Sequence, residues 1–491
     1  MKLKVKALKF RAGRPIAILD NWTASHINVH VGERINISKS SKNTVSILDV
    51  SRGLVKNDEV ALSEEIFEAL HLSEGEEVEV SLSGKPKSSY YIKRKMDGFE
   101  LTKEEIYTII KDLVDNALSE AEIAYFVAAV YKNNMSNSEV EALISSMVKV
   151  GKTMKFKGVV VDKHSIGGIA ANRTTPIVVS ICTAAGLIMP KTSSRAITSA
   201  AGTADVIESI ANVEFTTEQL KKIVEKTNGC MVWNGILGLS PADDKLIQTE
   251  KIISLDPEAQ LLASVLSKKI AVGSKYVLID IPFGASAKVK KNRAIILKKK
   301  FEYFGKRFGL KLKCVLTNGE QPIGNGIGPL LEIRDVIKVL KQESAPKDLE
   351  TKAIFLAGQI FELCKKSKKG EGEDLAREIL VSGKAFKKFQ EIIEAQSGKV
   401  PSMVELENKL GKFTKSVLAV SSGKIKKIDN KKMNSIASRA GCPMDKGSGI
   451  SLLKHVGDSV NKGDKIITIY SESKTRLDDA VELYKKANPI N

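Results

Sequence analysis

Residues 163–209 read KHSIGGIAANRTTPIVVSICTAAGLIMPKTSSRAITSAAGTADVIES, and they decide the fold because they place two anion-binding patterns around one apolar segment. The first pattern follows the apolar run 159–162 and consists of Lys163, His164 and Ser165 ahead of Gly167 and Gly168. Paired glycines let the backbone approach a ligand closely and expose its N–H groups. A strand followed by this loop predicts an anion site, although the same glycines also occur in ordinary tight turns.

The second pattern, residues 191–203, is dense in hydroxyl side chains and contains one arginine, Arg195. It ends at Gly202 and Thr203, where a helix-like run begins, and free N–H groups ahead of a helix attract anions. Between the two patterns, residues 175–187 predict a helix that is apolar on nearly all faces and therefore buried. Both loops are expected to emerge from a packed interior.

Together the two patterns resemble the signature of the thymidine phosphorylase family, in which a KHS-x-GG loop and a later S-x-R-x(7)-T segment hold inorganic phosphate. The resemblance covers residues 85–491 and is strongest in 160–205. It implies a set of phosphate ligands that are each a cation or a hydroxyl in this chain: Lys163, Ser165, Thr174, Ser193 and Thr203. His164 is expected to border the sugar or base, with a merely packed histidine as the alternative.

A helix predicted for residues 260–269 carries the residues that contact the base in this family. Ser264 and Lys268 occupy the positions of the serine and lysine that bind pyrimidine carbonyls, but the family's arginine position falls on Glu250 or Thr249. This departure points away from pyrimidine nucleosides. It favours a resemblance to the archaeal, nucleotide-using branch of the family, the AMP phosphorylases.

Asp256 is the implied general acid of that branch. A leaving purine needs a proton on its imidazole nitrogen, and a carboxylic acid in a partly desolvated site can supply one. Considered locally, however, Asp256 ahead of Pro257 is an ordinary helix N-cap. The residue therefore has two open interpretations, a catalytic one and a structural one.

A nucleotide also requires a cation for its 5′-phosphate, and Lys288 follows the strand predicted for residues 276–281. Considered alone, Lys288 belongs to a basic run that is typical of a solvated surface. The resemblance implies a wider set of contacts to AMP: Gly168, Ser194, Arg195, Ala196, Ile197, Thr198, Ser199, Thr203, Ser264, Lys268 and Lys288.

Composition narrows the class of protein. The net charge of +19 would suit nucleic acid, but the basic residues are spread along the chain, as they are on solvated surfaces of heat-adapted proteins. Five scattered cysteines without a CxxC pair or a histidine cluster argue against zinc and against a disulfide framework. The start KLKVKALKF does not resemble a signal peptide, and no apolar run is long enough for a membrane span, so we expect a soluble cytoplasmic protein.

The 491 residues predict a multidomain α/β protein with four parts. Short alternating runs at 3–8, 16–19, 27–31, 45–50 and 78–82 predict a small N-terminal β domain over 1–84. Three capping boxes, beginning at Thr102, Ser119 and Ser136, predict helices in an all-α domain formed by 85–154 and 240–273. A large α/β domain with a mixed sheet is expected over 155–239 and 274–410, followed by an α+β, hammerhead-like region over 411–491.

The function implied by the resemblance is phosphorolysis of AMP to adenine and ribose 1,5-bisphosphate, with CMP and UMP as further possible substrates. AMP and inorganic phosphate are the expected partners, no metal or organic cofactor is needed, and a homodimer or larger homo-oligomer is expected. Neither nucleic acid nor membrane is an expected partner. Three alternatives stay open: a nucleoside phosphorylase of the same family, a phosphoribosyltransferase of related fold, and a basic nucleic-acid-binding protein.

Overall fold

The computed structural model describes residues 1–196 and 199–491, which divide into two compact units. The first unit comprises Met1–Lys152 and Ser240–Ser267, and the second comprises Thr153–Leu239 and Lys268–Asn491. The finer division of the chain into four domains stays a prediction.

The first unit begins with a closed six-stranded barrel in the order β1-β5-β2-β4-β3-β6. Its elements are β1 (Lys2–Ala7), β2 (Ile16–Asp20), α1 (Asn21–His26), β3 (Arg34–Lys39), β4 (Lys42–Ser51), β5 (Glu59–Leu62), α2 (Glu64–Leu70) and β6 (Glu77–Leu82). Alternate residues such as Leu3, Val5 and Leu19 point into the barrel core, as the period of two predicts. The strand predicted for 27–31 is wrong, because the chain turns there after α1 and Asn28 has a positive φ of 54°.

Helices form the rest of the first unit: α3 (Lys87–Met96), α4 (Lys103–Val114), α5 (Glu120–Asn133), α6 (Asn137–Val150), α10 (Pro241–Ile253) and most of α11 (Glu258–Ala271). The three predicted capping boxes are confirmed at the starts of α4, α5 and α6. A buried ion pair also ties α3 to α6, since Lys95 Nζ lies 2.8 Å from both carboxylate oxygens of Glu139.

A parallel sheet organises the second unit. Its strands are β7 (Val161–Ser165), β8 (Met189–Ser193), β9 (Gly229–Trp233), β10 (Tyr276–Phe283) and β11 (Lys311–Asn318). β10 lies between β7 and β11, β8 pairs with β9, and a parallel bridge from Val160 to Ile188 joins the two groups. The mixed character expected for this sheet is wrong, because these pairs are all parallel. Crossover helices explain the difference, since each returns the chain to the same end of the sheet.

Helices cover this sheet: α7 (Thr174–Ala184), α8 (Thr203–Glu208), α9 (Thr217–Thr227), α12 (Lys291–Arg307), α13 (Pro329–Lys341), α14 (Lys347–Leu363), α15 (Gly372–Val381), α16 (Lys384–Ala395) and α17 (Met403–Glu407). Residues 174–183 of α7 are all buried, which confirms the predicted all-apolar interior helix. It packs against α14 and α16, and so the two loops that flank it begin within the core.

The C-terminal part combines two helices with short antiparallel strands: β12 (Gly326–Ile327), β13 (Phe413–Leu418), β14 (Gly423–Lys424), α18 (Asn430–Ala440), β15 (Gly449–Leu452), β16 (Ser459–Val460), β17 (Lys465–Ser471) and α19 (Lys474–Ala487). β12, β15, β17 and β13 form one sheet in that order. The core around Ile436, Ile450 and Ile467 also includes Ala170 and Ala200. This part therefore packs against both halves of the 163–209 stretch.

Candidate active site

Lys163, His164 and Ser165 are the last residues of β7 and not, as the sequence suggested, part of the loop after it. They pair in register with Leu278, Ile279 and Asp280 of β10. The ladder of hydrogen bonds extends the strand beyond its apolar residues. The three predicted contact residues are thereby fixed on a rigid sheet edge at the carboxyl end of a parallel strand, where α/β proteins bind ligands.

Gly167 and Gly168 form the close approach that their pairing predicted. Both have positive φ values, 84° and 86°, in the left-handed region that glycine tolerates. A Cβ atom on Gly168 would lie 2.6 Å from the backbone nitrogen of Lys288. The structure thus brings together two predicted nucleotide contacts, Gly168 and Lys288, that are distant in sequence.

Lys163 is only 1% exposed, and its ammonium group donates hydrogen bonds to Thr174 Oγ1 at 2.9 Å and Thr175 Oγ1 at 3.3 Å. Burial lowers the pKa of Lys163 to about 8, while the nearby Asp280 carboxylate opposes this decrease. The lysine therefore carries its charge at neutral pH without a carboxylate in direct contact. Two predicted phosphate ligands, Lys163 and Thr174, are in contact with each other.

Ser165 has a hydroxyl oxygen that is buried and makes no hydrogen bond within the described part of the chain. Buried hydroxyls are normally paired, so an unpaired one next to a ligand loop is consistent with a missing partner. An anion that accepts this hydrogen bond would satisfy Ser165.

Thr203, at the start of α8, is held by a residue that the sequence interpretation missed. Arg173 donates to Thr203 Oγ1 and to the carbonyl oxygen of Ala201, each at 2.7 Å, and to Glu332 Oε2 at 2.6 Å. The guanidinium fork therefore fixes one predicted phosphate ligand directly. An arginine immediately before a helix that begins with two threonines was a visible signal, but its partner Glu332 lies 159 positions away.

Arg195 is occupied by carboxylates of the protein itself. Its guanidinium lies 2.7 Å from both carboxylate oxygens of Glu208, 2.9 Å from Glu214, and over the ring of Trp233. Hydrogen bonds from Arg195 lower the pKa of Glu208 to about 2, and Lys446 also donates to Glu208 at 2.5 Å. The charge of Arg195 is thus largely balanced inside the protein.

The other residues of the second pattern are arranged around Asp205. Its Oδ2 atom accepts hydrogen bonds from the backbone N–H groups of Ala196 at 2.7 Å and Gly202 at 2.8 Å. The expectation that the N–H groups ahead of this helix are free is therefore wrong at Gly202, because a carboxylate of the protein fills the place of an external anion. Ser199 donates to the carbonyl of Ala201 at 2.7 Å.

Four further residues of the second pattern were predicted to contact phosphate or nucleotide. Ser193 ends β8 and donates weakly to the Val232 carbonyl at 3.4 Å, and Ser194 is half-buried. The predicted contacts Ile197 and Thr198 lie outside the described residues.

His164 lies among lysine side chains. Burial and the charges of Lys269, Lys191 and Lys268 lower the pKa of His164 well below its ordinary value, so the imidazole is neutral at pH 7. Asp162, next to it in β7, pairs with Lys269 at 2.6 Å and with Lys191 at 3.6 Å. Neither buried lysine was assigned a role from the sequence, although Lys191 is the first residue of the second pattern.

The residues that the resemblance assigns to the base fall in both units. Asp256 and Ser264 belong to the first unit, whereas Lys268 and all the predicted phosphate ligands belong to the second. Asp256 is exposed and precedes α11, and Ser264 and Lys268 are half-buried on that helix. The prediction that Asp256 is the N-cap is wrong, because α11 begins at Glu258 and the Pro257 carbonyl accepts from the Leu261 N–H at 3.0 Å, which puts Pro257 at the N-cap position.

A cavity of about 520 Å³ in the second unit is lined by residues between 317 and 323 and by the N-terminal part of α14. It contains none of the predicted site residues, but it touches their surroundings through Lys352. That lysine is buried 3.1 Å from Asp280, the carboxylate that acts on Lys163.

Comparisons with known proteins match this architecture in three consecutive segments. Family models match a glycosyl transferase family helical bundle domain at 89–151, a glycosyl transferase family a/b domain at 157–386, and a pyrimidine nucleoside phosphorylase C-terminal domain at 424–491. An AMP phosphorylase of Thermococcus kodakarensis is 42% identical over all of this chain and 97% of its own length, and one of Methanococcoides burtonii is 40% identical with the same coverage. The chain belongs to the AMP phosphorylases of the pyrimidine nucleoside phosphorylase family.

Two further matches are a relative with a different name and a solved structure that shares the fold. A putative thymidine phosphorylase of Legionella pneumophila strain Corby is 44% identical over 94% of this chain and 89% of the relative. The anthranilate phosphoribosyltransferase of Thermus thermophilus shares the fold, with a TM-score of 0.54 and 18% identity over 62% of this chain and 99% of the transferase. The AMP phosphorylase relatives and the glycosyl transferase family domains show that the chain is a pentosyltransferase of multidomain α/β fold.

Residues 1–196 and 199–491 contain neither a candidate metal site nor a candidate membrane-spanning helix. No group of three histidine, cysteine or acidic residues there is arranged to hold a metal ion. Among the same residues, no helix is both long enough and apolar enough to cross a membrane.

Proposed function

We propose that this protein catalyses the reversible phosphorolysis of AMP, giving adenine and ribose 1,5-bisphosphate. The observation that carries the proposal is the contact of buried, charged Lys163 with Thr174 beside the left-handed glycine pair, in a chain that belongs to the AMP phosphorylases. CMP and UMP are candidate substrates of the same site.

Phosphate is held by Lys163, Ser165, Thr174, Ser193 and Thr203 in this proposal. The unpaired hydroxyl of Ser165 and the α7 N-terminus support it, because Arg173 at the N-cap position makes no side-chain capping hydrogen bond and leaves helix N–H groups available. Phosphate then attacks the anomeric carbon as the bond to the base lengthens, with inversion at that carbon. Fixed cations and N–H groups stabilise the charge that moves between base and phosphate, so the reaction needs no metal.

Asp256 protonates adenine as it leaves, and Ser264 and Lys268 contact the base. This assignment rests on the resemblance of the motif around α11. The neutral state of His164 supports a contact with sugar or base and not a role as a cation for phosphate. The catalytic proton therefore comes from the carboxylic acid and not from the histidine.

The 5′-phosphate is bound by Lys288 together with Ser194, Arg195, Thr198 and Ser199. The close packing of Gly168 against Lys288 supports this assignment, because it places the ammonium-bearing residue next to the phosphate-binding loop. Arg195 contributes through its backbone and through the shape of the loop, since its side chain is engaged with Glu208 and Glu214.

The proposal also covers the domain organisation, the oligomeric state, the compartment and the cofactor requirement. The chain has an N-terminal β domain, a helical domain, an α/β domain and a hammerhead-like C-terminal region. It works as a homodimer or larger homo-oligomer. The reducing cytoplasm is its compartment, which the five free cysteines support. It uses no cofactor.

The test is a phosphorolysis assay with AMP, GMP, CMP, UMP, IMP and the corresponding nucleosides, in which free base and sugar phosphate are both quantified. We expect AMP to give adenine and ribose 1,5-bisphosphate, with adenosine at least tenfold poorer in kcat/KM. EDTA should not change the rate, and pyrophosphate should not replace orthophosphate. Equal use of AMP and adenosine would refute the nucleotide assignment.

A nucleoside phosphorylase is the second candidate. The Legionella relative and the serine and lysine at Ser264 and Lys268 favour it. It predicts ribose 1-phosphate from uridine, or 2-deoxyribose 1-phosphate from thymidine, at rates above those with any nucleotide.

A further inference from the structure

The first half of α18, far along the chain from the glycine loop, contacts the glycine loop, the loop before Lys288 and the 199–203 segment. Asp429 caps the helix by accepting from the N–H groups of Lys431 at 3.0 Å and Lys432 at 3.1 Å. Because Asp429 does the capping, the side chain of the next residue, Asn430, is not needed for the helix. It is fully buried and points its amide away from α18.

Asn430 joins three loops. Its Oδ1 atom accepts from the N–H of Ala170 at 3.1 Å, two residues after Gly168. Its Nδ2 atom donates to Ser286 Oγ at 3.1 Å and to the Gly319 carbonyl at 3.0 Å. Ser286 lies two residues before Lys288, so one amide holds the glycine loop and the Lys288 loop together.

Asn434 makes the corresponding contact with the second half of the 163–209 stretch. It lies one helical turn after Asn430, on the same face of α18, and it is 6% exposed. Its Oδ1 atom accepts from the N–H of Ala200 at 3.1 Å, three residues before Thr203. Two asparagines at i and i+4 therefore each fix one half of the stretch.

These contacts replace water for backbone groups that have no other support from regular structure. Ala170 and Ala200 are fully buried in loops, and a buried N–H without an acceptor is strongly disfavoured. The two amides therefore stabilise the present course of these loops.

We propose that Asn430 and Asn434 are positioning residues, which hold the glycine loop, the Lys288 loop and the 199–203 segment in the arrangement that binds phosphate and nucleotide. The assignment of those loops to substrate rests on the proposed function. The contacts act through the backbone, and neither asparagine needs to touch substrate. Their loss should reduce catalysis by releasing the loops and not by removing a ligand.

Hydrogen exchange detected by mass spectrometry tests the anchoring without any assay of activity. In Asn430→Ala, exchange should increase about tenfold to a hundredfold at 168–173, 284–290 and 318–322, because opening a loop no longer breaks these hydrogen bonds. In Asn434→Ala, the increase should be confined to 199–203. Asn430→Asp keeps an acceptor for Ala170 but places an oxygen against the Gly319 carbonyl, so it should loosen 318–322 and spare 168–173.

Gln396→Ala is the matched control in the same unit. Gln396 is also fully buried, and its amide bonds to the backbone of Met231 at 2.8 and 2.9 Å and of Asn212 at 2.8 Å. Its removal should lower stability to a similar extent and increase exchange around 212 and 231, but not at the loops anchored by α18.

Activity is the second readout. Under assay conditions in which all the variants are folded, Asn430→Ala and Asn434→Ala should each lower kcat/KM for AMP by at least about tenfold. The kcat/KM of Gln396→Ala should stay within about threefold of that of the unmodified protein. The proposal would be overturned if exchange in the asparagine variants increased equally along the whole chain. It would also be overturned if exchange increased only at the expected loops while kcat/KM stayed unchanged. If the unmodified protein showed no phosphorolysis, the proposed function would fall, and the exchange pattern alone would still decide whether the two amides hold the loops.

Discussion

Replacing Lys163 with methionine should separate phosphate binding from stability, because the structure assigns this buried cation a cost in the folded state. Burial lowers its pKa from 10.5 to about 8, and at about 1.4 kcal/mol per pKa unit this disfavours the charged folded form by about 3 kcal/mol. Methionine removes that cost and fills similar volume. It also loses the hydrogen bonds to Thr174 and Thr175, roughly 1 kcal/mol each, and part of the compensation of Asp280. The unfolding free energy should therefore stay within about 1 kcal/mol of the original value.

Activity should respond very differently. A charge-assisted hydrogen bond is worth about 1.5 to 3 kcal/mol, so kcat/KM for phosphate should fall about tenfold to a hundredfold in Lys163→Met. The assay is phosphorolysis at fixed AMP with phosphate varied, together with chemical unfolding of both proteins. We expect the KM for AMP to change by less than about threefold.

The pH dependence gives a second measurement on the same residue. The unfolded chain holds more protons than the folded chain between pH 8 and 10.5, so the destabilising contribution of Lys163 is complete below about pH 8 and disappears as pH rises toward 10.5. Over the same range the lysine loses its charge, so phosphate affinity of the unmodified protein should fall above about pH 8. Lys163→Met should lack this alkaline decrease.

Lys95→Met provides a matched control with the opposite pattern. Lys95 is also a buried lysine, but it pairs with Glu139 in the first unit, and its loss leaves that carboxylate uncompensated at a cost of about 3 kcal/mol or more. The control should lose stability and keep its phosphate dependence. If Lys163→Met instead unfolded as easily as the control, or used phosphate normally, Lys163 would be structural and the reasoning would be wrong.

Three other substitutions test the remaining assignments. Lys288→Ala should lower kcat/KM for AMP at least about tenfold more than for adenosine, in parallel assays of the two substrates, and equal losses would mean that the residue only supports its loop. Asp256→Asn should lower kcat by about 10² to 10⁴, because asparagine cannot donate the proton, while thermal stability changes little, because Asp256 is exposed and Pro257 holds the N-cap position of α11; near-normal turnover would remove Asp256 from the proton-donor role. Arg173→Lys should raise the KM for phosphate about tenfold, because a lysine cannot hold Thr203, Ala201 and Glu332 in one fork, and an unchanged KM would show that Thr203 needs no such support.

Local patterns in the sequence predicted local structure well. The capping boxes at Thr102, Ser119 and Ser136 depend on residues three apart, and the buried helix α7 follows from its composition alone. The glycine loop at 167–168 was predicted for the same reason. In each case the interaction that fixes the element lies within a few positions of the pattern itself.

What the sequence did not predict depends on partners distant along the chain. β7 extends through Lys163, His164 and Ser165 because β10, more than a hundred residues later, pairs with them. Arg173 is informative only once Glu332 and Thr203 are known to lie beside it, and Asp205 occupies N–H groups that appeared free for an anion. The spacing of residues in the sequence does not reveal contacts between residues that are distant along the chain.

The buried charges around Lys163 support the proposed phosphate site more directly than the net charge of the chain does. The positive charges of Lys352 and Arg173 act against the charged form of Lys163, and the carboxylates of Asp280 and Asp162 favour it. Burial raises the pKa of Glu332, although the paired Arg173 opposes the rise. Burial is the main cause of the lowered pKa of Lys163, and the positive charges of Lys352 and Arg173 lower it further. A bound anion would oppose this decrease, because a negative charge next to the ammonium group favours its protonated form. Charge spread over the surface would act on such an anion less, since solvent and salt screen it, whereas buried charges are screened much less.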